Sequence, residues 1–202
     1  MSIKKRTTVR YTDEDRGFEF QFEPVERSLS IVETPIGYEV RYLTVDDSPD
    51  SPSEWRDNGL FLINYHRGFW VENREIISKE DLISWYRGET IPQAKDYHIF
   101  VLSALIHSGV WLSLNYSFPE DSGGWDTSHV GAVLASKKEW QSKQSAYKAA
   151  QGLVATWNQY LSGDVYGIVV ERYNKNKQQI NDDAAWGFYG YDYAIKALQT
   201  DI

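Results

Sequence analysis

The feature that most limits the fold is one long amphipathic stretch in a chain otherwise made of short strand-like runs. Trp140, Tyr147, Leu153, Val154, Trp157 and Leu161 recur on one helical face, and Gly163 supplies a stop. Ser136-Lys-Lys-Glu139 has the form of a capping box. Together these predict a helix from Ser136 to Ser162, on the order of 38 Å long, sufficient to support a whole sheet.

Strand signals fill most of the remainder. Phe18, Phe20 and Phe22 alternate with Glu19 and Gln21, giving one apolar and one wet face. Thr7–Tyr11, Ser28–Glu33, Tyr38–Val45, Leu60–Tyr65, Val110–Tyr116, Val130–Ala135 and Asp164–Tyr173 also read as strands. The apolar run Tyr97–His107 fits a buried strand or a helix, because periodicity alone does not choose. Ser78 opens a short helix, with Glu80 and Asp81 in its first turn and Gly88 beyond its end. Polar Asn174–Asp183 reads as a long hairpin tip before a returning strand, Ala184–Tyr189, and a short helix over Tyr191–Leu198. The expectation is an α+β fold: a mostly antiparallel β-sheet packed against one long α-helix, with short peripheral helices. It reads as a single domain over residues 1–202, in which residues 1–30 form an N-terminal β extension.

Composition excludes several chemistries. With 0 Cys there is no disulfide, thiolate metal site or cysteine nucleophile. No apolar run reaches 18 residues and the first residues lack a hydrophobic signal core, so a soluble intracellular protein is expected, away from membranes. The formal net charge is −8, yet Lys4, Lys5, Arg6 and Arg10 place +4 in the first ten residues. The remainder therefore carries −12, the total less that basic start. An acidic body argues against direct nucleic-acid binding and suits a basic partner, including an enzyme with a positive nucleic-acid channel. No GxGxxG, P-loop or GxSxG pattern occurs.

Three groups of residues carry chemistry. The loop from Asp121 to Gly131 gathers Asp121, Trp125, Asp126, Ser128 and His129 ahead of a strand. A second loop, interrupted by Pro49 and Pro52, offers Asp47, Glu54, Trp55 and Asp57, with His66 after the next strand. Asp46 and Asp50 enlarge its acidic content, and Asx-type turns are the simpler reading of both loops. Tyr166, Trp186, Phe188 and Tyr189, interleaved with glycines, form either an aromatic platform or a tightly packed strand. The four histidines show no HxH, HxxxH or HExxH spacing, so no metal or other cofactor is predicted.

Five ordered segments resemble an uncharacterised family of phage and prophage proteins. Ser51-Pro-Ser-Glu-Trp-Arg-Asp-Asn-Gly59, Tyr65-His-Arg67 and Gly124-Trp-Asp-Thr-Ser-His-Val-Gly131 are similar to its SPREWDN-, HRR- and PWDSGQVG-type segments. Tyr160-Leu-Ser-Gly-Asp-Val-Tyr-Gly167 and Trp186-Gly-Phe-Tyr-Gly190 are similar to its YLTGDVYGF and CWGFYG segments. The resemblance spans roughly residues 38–193. Arg56 is an insertion relative to that pattern, and the cysteine of the family is absent, which argues against a shared thiol mechanism. The resemblance implies a phage accessory protein acting in the bacterial cytoplasm and supplies no catalytic residues.

Two functions follow as expectations. One is a non-enzymatic binder of a host protein that inhibits a defence or nucleic-acid enzyme. The other is a small hydrolase, or a ligand- or metal-binding protein, using the 121–131 loop.

Overall fold

The computed structural model describes residues 11–54, 58–66, 76–114, 118, 121 and 125–200. The strand expected at Thr7–Tyr11 lies outside the described residues apart from Tyr11, as do Lys4, Lys5, Arg6, Arg10, Trp55 and Asp57. The protein is α+β; among the described residues every strand lies in an antiparallel sheet, and one of the three α-helices is long. The sequence reads as one domain, and the contacts of the folded chain gather into two compact units. Residues up to Pro49 join those from Gly163 onward, while Asp50–Ser162 form the other.

In the first unit a four-stranded sheet runs in the order β10-β9-β4-β3: Gln179–Tyr189, Val165–Asn174, Gly37–Val45 and Ser30–Thr34. Strand alternation divides its side chains between two small cores. On one face Val40, Tyr42, Val169 and Tyr173 pack on Phe18 and Phe20, which belong to a hairpin of β1 (Tyr11–Asp13) and β2 (Phe18–Phe20). The other face buries Leu43 and Ile168 under Ala194 and Leu198 of helix α3, Tyr191–Gln199. A fully buried aliphatic side chain contributes about 1.5–3 kcal/mol relative to exposure, so each face depends on its cover.

The apolar hairpin face also contains Glu171, which is 0 % exposed. Its carboxylate accepts hydrogen bonds from the Gln21 amide (2.8 Å), the Tyr42 hydroxyl (2.9 Å) and the Tyr173 hydroxyl. Burial, reinforced by the Glu171 charge, raises the Tyr42 hydroxyl far above its ordinary pKa, so it remains a donor.

In the second unit the sheet order is β5-β8-β6-β7: Leu60–Asn64, Thr127–Ser136, Tyr97–Ile106 and Val110–Ser113. Helix α1, Lys79–Tyr86, helps cover one face through Leu82 against Ile63, Ile99 and Leu134. Ser78 caps it, its hydroxyl accepting from the Asp81 amide at 2.9 Å. Helix α2, Lys143–Ser162, covers the other face with Ala146, Ala150, Val154 and Trp157. Because both faces are covered, β8 is buried continuously from Val130 to Ala135, and apolar β6 is a strand.

Two expectations are corrected. The long helix begins at Lys143, not Ser136, and its 20 residues span about 30 Å. Ser136 is held by the sheet: it pairs with Tyr97, and its amide donates to the Gly59 carbonyl at 2.8 Å. Ser142 caps α2, accepting from the Ser145 amide at 3.0 Å. Trp140 therefore precedes the helix, and its indole N–H donates to the Asn58 carbonyl at 2.8 Å. Likewise the hairpin between β9 and β10 has a tight tip. The Asn174 side chain accepts from the amides of Asn176 (2.9 Å) and Gln178 (3.0 Å), so β10 starts at Gln179. Residues 180–187 are exposed on an edge strand, which explains the loop-like polarity of Asn181, Asp182 and Asp183.

Candidate functional site

An irregularity in the first sheet positions Trp186. The β10–β9 register passes from Ala185↔Ile168 to Phe188↔Tyr166, so Trp186 and Gly187 oppose the single residue Gly167. This is a β-bulge. Gly187 takes φ +81°, a left-handed conformation that glycine adopts at little cost. Gly167 leaves open the space a Cβ would fill, and the six-membered ring of Trp186 lies there. A Cβ at position 167 would stand 2.4 Å from Cε3. Phe22 meets the indole edge-on, with centroids 5.3 Å apart at 80°. Trp186 nevertheless remains 45 % exposed.

The open side of this arrangement is a groove of about 910 Å³. Tyr11, Phe22 and Trp186 supply its rings, and Glu23, Glu26, Asp46 and Asp47 its carboxylates. No lysine, arginine or histidine lines it among the described residues. The acidic walls are fixed by backbone bonds. The Val25 amide donates to the Leu43 carbonyl at 2.7 Å, and the Asp46 amide donates to the Val165 carbonyl at 2.9 Å. Phe22 is tied to the buried network through its amide, which donates to the Tyr42 hydroxyl at 3.3 Å.

These carboxylates are available to a ligand. Among the described residues Glu23 and Asp47 take no hydrogen bond or ion pair. Asp46 uses one oxygen to accept from the Ser48 amide at 3.1 Å. Glu26 meets Arg27 at 3.5 Å, an exposed pair that contributes little. Such a groove attracts cations and offers an aromatic surface beside the charge.

The 121–131 loop in the second unit is organised differently. Asp121 accepts from the amides of Trp125 and Asp126, both at 3.0 Å, and from the Thr127 hydroxyl at 2.7 Å. The Thr127 hydroxyl is the largest cause of a pKa held below the ordinary carboxylate value, with both amides adding to it. Asp121 thus works as a loop staple. Trp125 is 91 % exposed, and Asp126 lies 3.4 Å from the exposed His107 imidazole. His129 Nδ1 is 3.0 Å from the Ser103 hydroxyl, and its ring packs 5.7 Å from that of Tyr86. Ser103 is only 1 % exposed, so this serine is closed to a substrate, while Ser128 next to His129 is exposed.

The other expected residues are dispersed. Glu54 is the exposed end of a single turn in the second unit whose Pro52 and Ser53 are buried, and the His66 amide donates to the Asn64 side chain at 2.7 Å. Asp47 belongs to the first unit, where it shares the groove with Trp186. The four aromatics do not form one platform. Phe188 and Tyr166 lie on the α3 side, Tyr189 is buried, and Trp186 faces the groove. The Tyr166 hydroxyl is pushed up to about 12 by burial and by Asp164. Sequence reasoning passed over Glu23, Glu26, Phe22 and Tyr11; a usable signal was the acidic Glu23-Pro-Val-Glu26 beside Phe22. Among the described residues no three His, Asp or Glu side chains converge to hold a metal ion. No helix of the described residues is long and apolar enough to cross a membrane. Comparison with protein-family models, with curated proteins and with solved structures finds no match.

Proposed function

We propose that the chain is a non-enzymatic binding protein that captures a basic segment of a partner protein in the groove of its first unit. The observation that carries this reading is the pairing of unpartnered carboxylates, Glu23 and Asp47, with the half-exposed indole of Trp186 in one groove free of lining cations. Charge complementarity speeds encounter and rejects acidic competitors, and the aromatic surface adds contact area. In the setting that the phage resemblance implies, the partner is a host defence or nucleic-acid enzyme in the bacterial cytoplasm, and capture inhibits it. Basic channels of such enzymes offer the complementary charge.

The test is affinity capture from bacterial lysate with wild type and the Glu23→Gln/Asp47→Asn double variant side by side. A host protein retained by wild type and released by the variant supports the reading. Equal retention moves the interface elsewhere, and retention by neither chain ends it.

A second reading, hydrolysis at the 121–131 loop, draws on the Ser103–His129 hydrogen bond. It requires Ser103 to become accessible. Ester turnover that persists in wild type and disappears in His129→Ala is the outcome that would favour it over binding.

A further inference from the structure

We infer that the groove selects arginine over lysine in the basic segment it takes, with Trp186 as the specificity-determining residue; this rests on the binding role proposed above. The argument starts from the indole. Its six-membered ring is seated against Gly167, the Phe22 ring stands at 80° to it with centroids 5.3 Å apart, and the 45 % of the side chain that stays exposed lines the groove. A flat aromatic face held by the backbone on one side is matched by a flat cation on the other. The guanidinium group is planar, weakly hydrated and stacks on aromatic faces, whereas an ammonium is a compact, strongly hydrated point charge.

The carboxylates reinforce the choice. Glu23 and Asp47 keep both oxygens unpartnered among the described residues, and Asp46 keeps one. Arginine carries five N–H donors in a fork that matches a carboxylate edge while its plane stays on the ring. Lysine can meet a carboxylate and the ring with its three donors, but its strongly hydrated ammonium has no plane to stack on the indole. Long-range attraction treats the two cations alike, so the preference arises on contact with Trp186, where the carboxylates hold the arginine fork in a plane that the ring can stack on.

The experiment uses the full chain and two fluorescent peptides of equal charge and length. Each carries three cationic residues separated by glycine and serine, arginine in one and lysine in the other. Binding is measured by anisotropy at low salt. The expected result is about 5-fold tighter binding of the arginine peptide, the size of an exposed cation–π contact. Trp186→Leu is expected to abolish that ratio and retain the weaker lysine-type affinity, while Trp186→Phe keeps part of the preference. Glu23→Gln/Asp47→Asn should weaken both peptides with the ratio still above one. Equal affinities of wild type for the two peptides overturn arginine selection and leave the groove as a binding site. Failure of both peptides to bind wild type overturns the groove itself and the inference with it. Unaltered near-ultraviolet circular dichroism outside the indole band establishes that Trp186→Leu is folded.

Discussion

Two acidic regions of this protein look alike in sequence and behave as opposites in the folded chain. Around Asp121 the carboxylate oxygens are occupied by two backbone amides and a hydroxyl of their own loop. Around Trp186, Glu23 and Asp47 are held on fixed backbone with no partner among the described residues. The first arrangement builds structure, and the second leaves charge directed at solvent. What separates a turn from a site is therefore the state of the acceptors, not the number of acids. Glu171 takes the contrast to its limit, as a fully buried carboxylate with three donors.

The largest effect is expected there. Glu171→Ala leaves the buried Tyr42 hydroxyl and the Gln21 amide without their acceptor, while the Tyr173 hydroxyl keeps the Glu19 carbonyl at 2.8 Å, and should cost about 2–6 kcal/mol in urea unfolding. Because Gln21 and Phe22 are tethered through this network, binding at the groove should fall as well. A variant with wild-type stability would show that the hairpin cover does not depend on an occupied carboxylate. Gly167→Ala comes next. Its Cβ collides with Trp186, so we expect a loss of about 1–3 kcal/mol together with loss of arginine preference. If the preference survives intact, the indole is not the selecting surface.

Removing unpartnered acids should leave stability nearly untouched. Glu23→Gln and Asp47→Asn are expected to change unfolding free energy by no more than about 0.5 kcal/mol while weakening cationic peptides. The complementary change is at the other end of the charge distribution. Arg10 directly precedes Tyr11 in the sequence, Tyr11 lines the groove, and four cations lie in the first ten residues. Replacing Lys4, Lys5, Arg6 and Arg10 by glutamine should strengthen peptide binding about 2–5-fold at low salt, with the gain fading as salt screens it. No gain at low salt would mean that the groove potential is insensitive to the basic start.

Most of the architecture was legible because it depends on local patterns. The phenylalanine alternation marked β2, Ser78 marked the start of α1, and the apolar face ending before Gly163 marked α2. The errors arose where pairing overrode a local signal. Ser136 satisfies a helix-start pattern, yet its amide is taken by Gly59. Asn181, Asp182 and Asp183 are polar because they lie on an exposed edge, not because they are a loop. The groove was half legible. Asp47 and Trp186 were each singled out, but nothing in the sequence brings residues so far apart together. That juxtaposition requires the β4–β9–β10 pairing and the bulge at Gly187.

The smallest effect, and the most direct test of the comparison, is the pH response of the Asp121 loop. Its pKa in the folded chain is lowered from an ordinary 3.8, with the Thr127 hydroxyl as the largest cause. A lowered value means that folding favours the ionised form, so the contribution is complete above 3.8. It is lost as pH falls through the lower native value. The amide proton shifts of Trp125 and Asp126 should therefore share an acid transition whose midpoint lies below 3.8. In Asp121→Asn both signals should lose that midpoint, because the titrating acceptor is gone. Movement centred at or above 3.8 would mean that Asp121 is not engaged by its loop in solution. The carboxylate would then stand open as Asp47 does, and the distinction between the two regions would collapse.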